Sequence, residues 1–66
     1  MRIVLNGETR ELPGPMDVAG LLRHLGLAER RVAVEVNHCI VPRSRHDGHA
    51  LREGDAVELV HALGGG

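Results

Sequence analysis

One stretch of this 66-residue chain repeats its apolar residues with the spacing of a helix face. Between positions 18 and 25, Val and Leu recur at i, i+3, i+4 and i+7, with Asp17 placed as an N-cap and Gly26 as a left-handed C-cap. A helix of about two turns is too short to be stable alone in water. We therefore expect it to pack against a sheet built from the rest of the chain.

Short β-prone runs lie on both sides of the predicted helix. Residues 2–5 lead into Asn6-Gly7, a strong hairpin signal, and the return strand is predicted over 8–12. Beyond the helix, strands are predicted over 32–36, 39–41 and 56–60. Because side chains alternate along a strand, one set should face the helix: Ile3, Leu5, Leu12, Val32, Val34, Val36, Val57 and Leu59.

This order of elements predicts an α+β fold, with a mixed sheet of four to five strands and one main helix packed on one face. A crossover through the helix allows a later strand to run parallel to the first. The β-grasp, or ubiquitin-like, arrangement fits that order. We expect residues 1–61 to form the β-grasp domain and 62–66 to be a flexible C-terminal glycine tail.

Composition excludes several classes of function. The formal charge is −1 and there is no aromatic residue, so neither phosphate neutralisation nor base stacking favours nucleic-acid binding. No apolar run approaches the roughly 20 residues of a membrane span, and the first residues do not resemble a signal peptide. A single Cys39 cannot form an internal disulfide. We expect a cytoplasmic protein without a nucleic-acid or membrane partner.

The chain ends in Gly64-Gly65-Gly66. If residues 62–66 extend from the domain, they reach at most about 16–18 Å, enough to enter a neighbour's active site. Glycine has no side chain to block a narrow channel. We predict that the Gly66 α-carboxylate is the reactive group and that Gly64 and Gly65 thread into the partner. A frayed end without function gives the same pattern.

The sequence resembles the ThiS family over essentially its whole length. The most specific matching segments are 37–43 and 60–66, and the others are 3–7, 18–25 and 54–58. The resemblance implies a ubiquitin-like sulfur carrier of thiamine biosynthesis. The family's pair of final glycines carries over to Gly65 and Gly66, whereas Gly64 is an additional glycine.

The same resemblance implies the partners. A ThiF-like enzyme would adenylate the last glycine, using ATP and Mg that this chain does not itself bind. A cysteine desulfurase system would supply the sulfur that makes a thiocarboxylate, and a ThiG-like thiazole synthase would accept it. The chain would then be a cosubstrate of other enzymes rather than an enzyme.

Other residues carry weaker signals. Val4 and Val60 are predicted to face away from the helix and, with Leu63, to form an apolar patch for partner docking beside the tail. His46 and His49 lie in a turn-rich segment, where we interpret them as solvated, and we predict no metal site. Cys39 is interpreted as a small, partly buried side chain rather than a reactive thiol.

Three other functions remain open from the sequence. The first is the small subunit of molybdopterin synthase (MoaD-like), against which the short length and the segment 37–43 argue. The second is a carrier for tRNA thiolation or for protein modification. The absence of lysine excludes only chains built through this protein's own lysines. The third is a β-grasp interaction domain with no covalent chemistry.

Overall fold

The computed structural model describes residues 1–61, and its elements follow the predicted order. The return strand of the first hairpin ends one residue earlier than predicted, and the last strand continues one residue further, to His61. The elements are β1 (Arg2–Leu5), β2 (Glu8–Glu11), α1 (Val18–His24), β3 (Val32–Val36), β4 (Cys39–Val41), a 3₁₀ turn (Arg43–Arg45) and β5 (Ala56–His61).

The five strands form one sheet in the order β2-β1-β5-β3-β4. Strand β5 lies at the centre, parallel to β1 and antiparallel to β3. The two outer pairs are antiparallel hairpins. Within residues 1–61 the predicted mixed sheet is therefore confirmed, and the strand that leads towards residues 62–66 is the central one.

Both hairpins turn through two consecutive residues with positive φ. The values are 49° and 83° at Asn6 and Gly7, and 52° and 70° at Asn37 and His38. Such turns match the right-handed twist of the strands they join. His38 is the unusual member, since a side chain at positive φ is strained where glycine would not be.

Helix α1 is fixed at its first turn by the cap and by a distant loop. Asp17 Oδ1 accepts from the amide of Gly20 at 2.7 Å, as expected for an N-cap. The amide of Val18 donates to the carbonyl of His49, and that of Ala19 to the carbonyl of His46. The first helical amides are thus satisfied by the loop that follows the 3₁₀ turn.

The two ends of the helix explain its glycines. A Cβ on Gly20 would lie 3.1 Å from Asp17 Oδ1 and 3.2 Å from Met16 Cβ, so the cap leaves little room for a side chain. The helix ends at the C-cap Leu25, and Gly26 after it has φ of 75°, so the left-handed conformation predicted for Gly26 is confirmed.

The core lies between α1 and the face of the sheet that we call the inner face. The predicted alternation is confirmed, with Val32 and Leu59 only partly buried at its margin. Burial of an aliphatic side chain contributes roughly 1.5–3 kcal/mol, and such side chains make up the core: Ile3, Leu5, Leu12, Val18, Leu21, Leu22, Val34, Val36, Val41, Leu51 and Val57.

Two interpretations of single residues were wrong. His46 is not solvated: it is only 8% exposed, because the loop after the 3₁₀ turn folds back against α1. Its Nε2 donates to the carbonyl of Val41 at 3.1 Å. Cys39 is exposed rather than partly buried, because it begins an edge strand directly after the Asn37-His38 turn.

Candidate functional site

The candidate site is the end of β5, from which the chain continues into residues 62–66. His61, the last described residue, lies opposite Val32 of β3. Leu63, Gly64, Gly65 and Gly66, which the sequence singled out, lie outside the described residues. Strand β5 is the described element that leads to them.

Two asparagine side chains hold β5 from opposite sides. Strand β1 ends at Leu5, and Asn6 Oδ1 then accepts from the amide of Leu59 at 2.8 Å. The Asn6 side chain therefore extends the hydrogen bonding between β1 and β5 beyond the end of β1. On the other side, Asn37 Oδ1 accepts from the amide of Ala56 at 2.9 Å. Sequence analysis treated both asparagines as turn residues and missed these bonds, because they depend on strand order.

The start of β5 is fixed in the same way by Asp55. Its carboxylate accepts from Asn37 Nδ2 at 3.0 Å and from the amide of Arg52 at 2.8 Å. Its carbonyl accepts from the amide of Val4 at 2.9 Å. Side-chain bonds thus reinforce the start and the middle of β5.

The opposite face of the sheet, which we call the outer face, exposes two large apolar side chains: Ile40 is 75% exposed and Val60 is 62% exposed. Val4 is half-buried and faces the same way, as predicted. Its parallel neighbour on β5 is Ala56, four residues before Val60. The two valines are therefore separated by about 13 Å along the strand, with Glu58 between them.

Two acidic residues lie directly opposite each other on that face. Glu35 of β3 pairs with Glu58 of β5 in the antiparallel register. Across residues 1–61 neither carboxylate has a hydrogen bond or an ion pair. Like charges in this position destabilise a sheet. The pair could not be found from the sequence, because it requires the register of β3 against β5.

The charge of Asp17 couples the helix to the loop before β5. The amide of Gly48 donates to Asp17 Oδ2 at 2.9 Å and is the main cause that lowers the pKa of the carboxyl from its usual 3.8. The hydrogen bond from the amide of Gly20 is the second largest cause, and the positive charge of Arg23 also lowers this pKa. The ionised carboxylate is thus the form that the fold binds.

Histidine and cysteine do not form a metal centre in the part of the chain that is described. Between residues 1 and 61, no group of three His, Cys, Asp or Glu side chains could hold a metal ion. The Nε2 proton of His46 is already donated to a carbonyl. In the same range, no helix is long and apolar enough to cross a membrane.

Comparison with known families places the chain. The model of the ThiS family matches residues 3–66. The chain belongs to the ThiS family. The crystal structure of the thiamine biosynthesis protein ThiS from Geobacter metallireducens superimposes with a TM-score of 0.86 at 33% identity, covering all of both chains. The ubiquitin-like β-grasp fold expected from the sequence is confirmed by this ThiS relative.

Two further relatives differ in length: one consists of the ThiS-like segment alone, and the other contains further sequence. The sulfur carrier protein ThiS of Escherichia coli is 29% identical over 66 residues, which is the whole of both chains. A thiazole synthase of Paramagnetospirillum magneticum is 46% identical over the whole of this chain. The chain spans only 20% of the length of that synthase. A ThiS-like segment and further sequence therefore occur there in one polypeptide.

Proposed function

We propose that this ThiS-family sulfur carrier takes up sulfur on the α-carboxyl of Gly66 and delivers it to a thiazole synthase. A carboxylate is a poor electrophile, so a ThiF-like enzyme first adenylates it with ATP and Mg that the enzyme itself binds. Sulfide then displaces AMP and leaves a thiocarboxylate. Alternatively, a persulfide supplied by a cysteine desulfurase system attacks, and a thiol reduces the resulting acyl disulfide.

The observation that carries this proposal is that the ThiS family match extends through Gly66. The placement of β5 supports it. A central strand fixed by Asn6 and Asn37 gives the following residues a rigid base, and Gly64 and Gly65 then supply a segment narrow enough to thread. In this account the chain contributes the carboxyl and its presentation, and it acts as a cosubstrate rather than as an enzyme.

Docking uses the outer face next to the end of β5. Val60 is exposed there and lies opposite Ala33, and Leu63 would extend this apolar surface along the tail. Val4 lies on the same face near the start of β5. Exposed apolar groups beside a reactive segment are typical of a binding surface. The Glu35–Glu58 pair would then favour partners that bring a positive charge.

The thiazole acceptor is preferred over molybdopterin or tRNA acceptors because of one relative. The protein that is 46% identical to the whole of this chain is named a thiazole synthase. A deletion strain therefore should require thiamine for growth. Normal growth of that strain without thiamine would remove the thiazole assignment, while leaving the carboxyl chemistry to be tested separately.

Adenylation tests the role of the last glycine. The full chain is incubated with the purified cognate activating enzyme and ATP, and pyrophosphate release is measured. Deleting Gly66, or adding a bulky residue after it, should abolish the signal, because the carboxyl no longer reaches the adenylation site. Arg10→Gln, an exposed change on β2, is the matched control. Adenylation retained after a bulky addition would contradict the proposal.

A further inference from the structure

A groove on the helix side of the molecule is not used by the proposed chemistry. It runs between α1, the loop after α1, the start of β3 and the turn after β4. It consists of two adjoining cavities of about 280 and 220 Å³ that share Leu22, Ala28, Arg43 and His46. We call it the basic groove, and the rest of its lining includes Arg23, Arg30, Arg31, Val32 and Asp47.

The basic groove concentrates positive charge on a chain that is slightly acidic overall. Four arginines against one aspartate give its lining a formal charge of +3, whereas the whole chain carries −1. Among the described residues, the guanidinium groups of Arg30 and Arg43 have neither a hydrogen bond nor an ion pair. A free guanidinium binds a carboxylate through two parallel hydrogen bonds.

Apolar side chains also line the basic groove: Leu22, Ala28 and Val32. Leu22 is buried, Val32 is half-buried and Ala28 is exposed. His46 also lines the groove, but its Nε2 proton is donated to the carbonyl of Val41. A small inorganic anion would gain nothing from the apolar groups. A protein segment that combines carboxylates with a small apolar side chain would contact both the arginines and the apolar groups.

The basic groove also lies beside the end of β5, the strand that precedes residues 62–66. Val32, which lines it, is the register partner of His61, and both lie on the inner side of the sheet. An enzyme that holds the tail therefore approaches this groove. Contacts made there would orient the domain while the tail is bound.

One relative favours thiazole synthase over the activating enzyme as the partner that occupies the basic groove. In the Paramagnetospirillum magneticum thiazole synthase, a segment similar to this whole chain belongs to the same polypeptide as the rest of that protein. We propose that the basic groove binds an acidic segment of thiazole synthase, with carboxylates on Arg30 and Arg43 and a small apolar side chain on Leu22 and Ala28. This inference rests on the proposed function, because it takes thiazole synthase as the acceptor.

The test compares two double variants of equal charge change. Arg30→Glu with Arg43→Glu reverses the charge of two arginines that line the groove, and Arg10→Glu with Arg52→Glu changes exposed arginines that do not line it. Affinity of the full-length, unmodified chain for purified cognate thiazole synthase is measured for both and for the wild type. Circular dichroism confirms that each variant is folded.

The groove variant should lose at least roughly tenfold in affinity, because close charge pairs at interfaces are strongly coupled, while the control should stay close to the wild type. Raising the salt to about 0.5 M should weaken the wild type more than the groove variant, since exposed charges are screened. Adenylation by the activating enzyme should be the same in all three. A milder pair, Arg30→Gln with Arg43→Gln, replaces the reversal if that variant does not fold.

Four results would overturn the inference. The first is that the wild type does not bind thiazole synthase, and the second is that the groove and control variants bind it with equal affinity. The third is that the groove variant loses adenylation but keeps its affinity for the synthase, which would make the activating enzyme the occupant. The fourth is a response of the Arg30 and Arg43 side-chain resonances to inorganic phosphate without any difference in synthase affinity. Failure of the wild type to acquire sulfur would instead contradict the proposed function, because synthase binding is measured on the unmodified chain.

Discussion

The two faces of the sheet are built from the same alternating strands, yet they differ in almost every physical respect. The inner face is aliphatic and covered by α1. The outer face exposes Ile40 and Val60 and places Glu35 directly against Glu58. The inner face accounts for the stability of a small domain, whereas the outer face carries exposed apolar side chains and a like-charge pair that do not stabilise it. The difference indicates that the stability of the fold depends on the inner face and that the side chains of the outer face are free of that constraint.

The largest effect is expected from a substitution in the core beneath the inner face. Leu21 is fully buried, so Leu21→Ala should lower the free energy of unfolding by about 2–5 kcal/mol through lost burial and a cavity. A domain of this size is stable by only roughly 3–10 kcal/mol, so the variant should be partly or wholly unfolded at 37 °C. Denaturant unfolding followed by circular dichroism measures the change.

Val60→Ala is the matched control on the outer face. Val60 is mostly exposed, so we expect a change in unfolding free energy within about 0.5 kcal/mol. If Val60→Ala destabilised the domain as much as Leu21→Ala, the conclusion that stability depends on the inner face would be wrong.

The next effect concerns the hydrogen bonds that fix the register of β5 in the sheet. Asn37→Gly keeps the positive φ of the turn but removes two side-chain hydrogen bonds to the start of β5. We expect a loss of about 1–2 kcal/mol in unfolding free energy. Faster hydrogen exchange at the amide of Ala56, measured by NMR, should accompany it. His38→Gly relieves positive-φ strain without touching those bonds and should not destabilise, which makes it the control.

A smaller effect should come from the acidic pair. Glu58→Lys would convert the like-charge pair with Glu35 into an attractive one and should raise the unfolding free energy by about 0.2–1 kcal/mol. Glu8→Lys, an exposed change on β2, makes the same change in net charge and should have less effect. Equal effects of the two substitutions in thermal unfolding would show that net charge, and not the pair, is responsible.

The sequence predicted the inner face well because burial imposes a period on each element. Alternation in 32–36 and the helical spacing from Val18 to Leu25 report burial directly, and the turn at Asn6-Gly7 reports local geometry. The outer face and the basic groove could not be predicted in this way. Their features depend on which strands are neighbours, and no local pattern records that Glu35 meets Glu58 or that Arg30 and Arg43 line one groove.

The same limit explains the errors at single residues. His46 lies in a polar, turn-rich segment, and its burial depends on the loop folding back against α1. Cys39 follows a turn on an edge strand, and its exposure depends on strand order. The reactive end predicted at Gly66 rests on the family match and on chemistry, since it lies outside the described residues.

The smallest effect concerns the loop after the 3₁₀ turn, which is hydrogen-bonded to the start of α1. The pKa of Asp17 is lowered in the folded state, so the stabilisation it gives is fully present above the unfolded value near 3.8. It is lost as the pH falls through the lower, folded pKa. Asp17→Asn should therefore flatten the dependence of unfolding free energy on pH below about 4. Unchanged pH dependence in this variant would contradict the role given to the carboxylate.

Intact mass of the full chain tests the sulfur-carrier account most directly. The protein is purified from cells that also contain its activating enzyme and a sulfur source, and the C-terminal peptide is then fragmented. The account predicts that one oxygen is replaced by sulfur and that the change maps to Gly66. An unmodified mass in the presence of active enzyme, ATP and sulfur donor would contradict it and favour a non-covalent interaction domain.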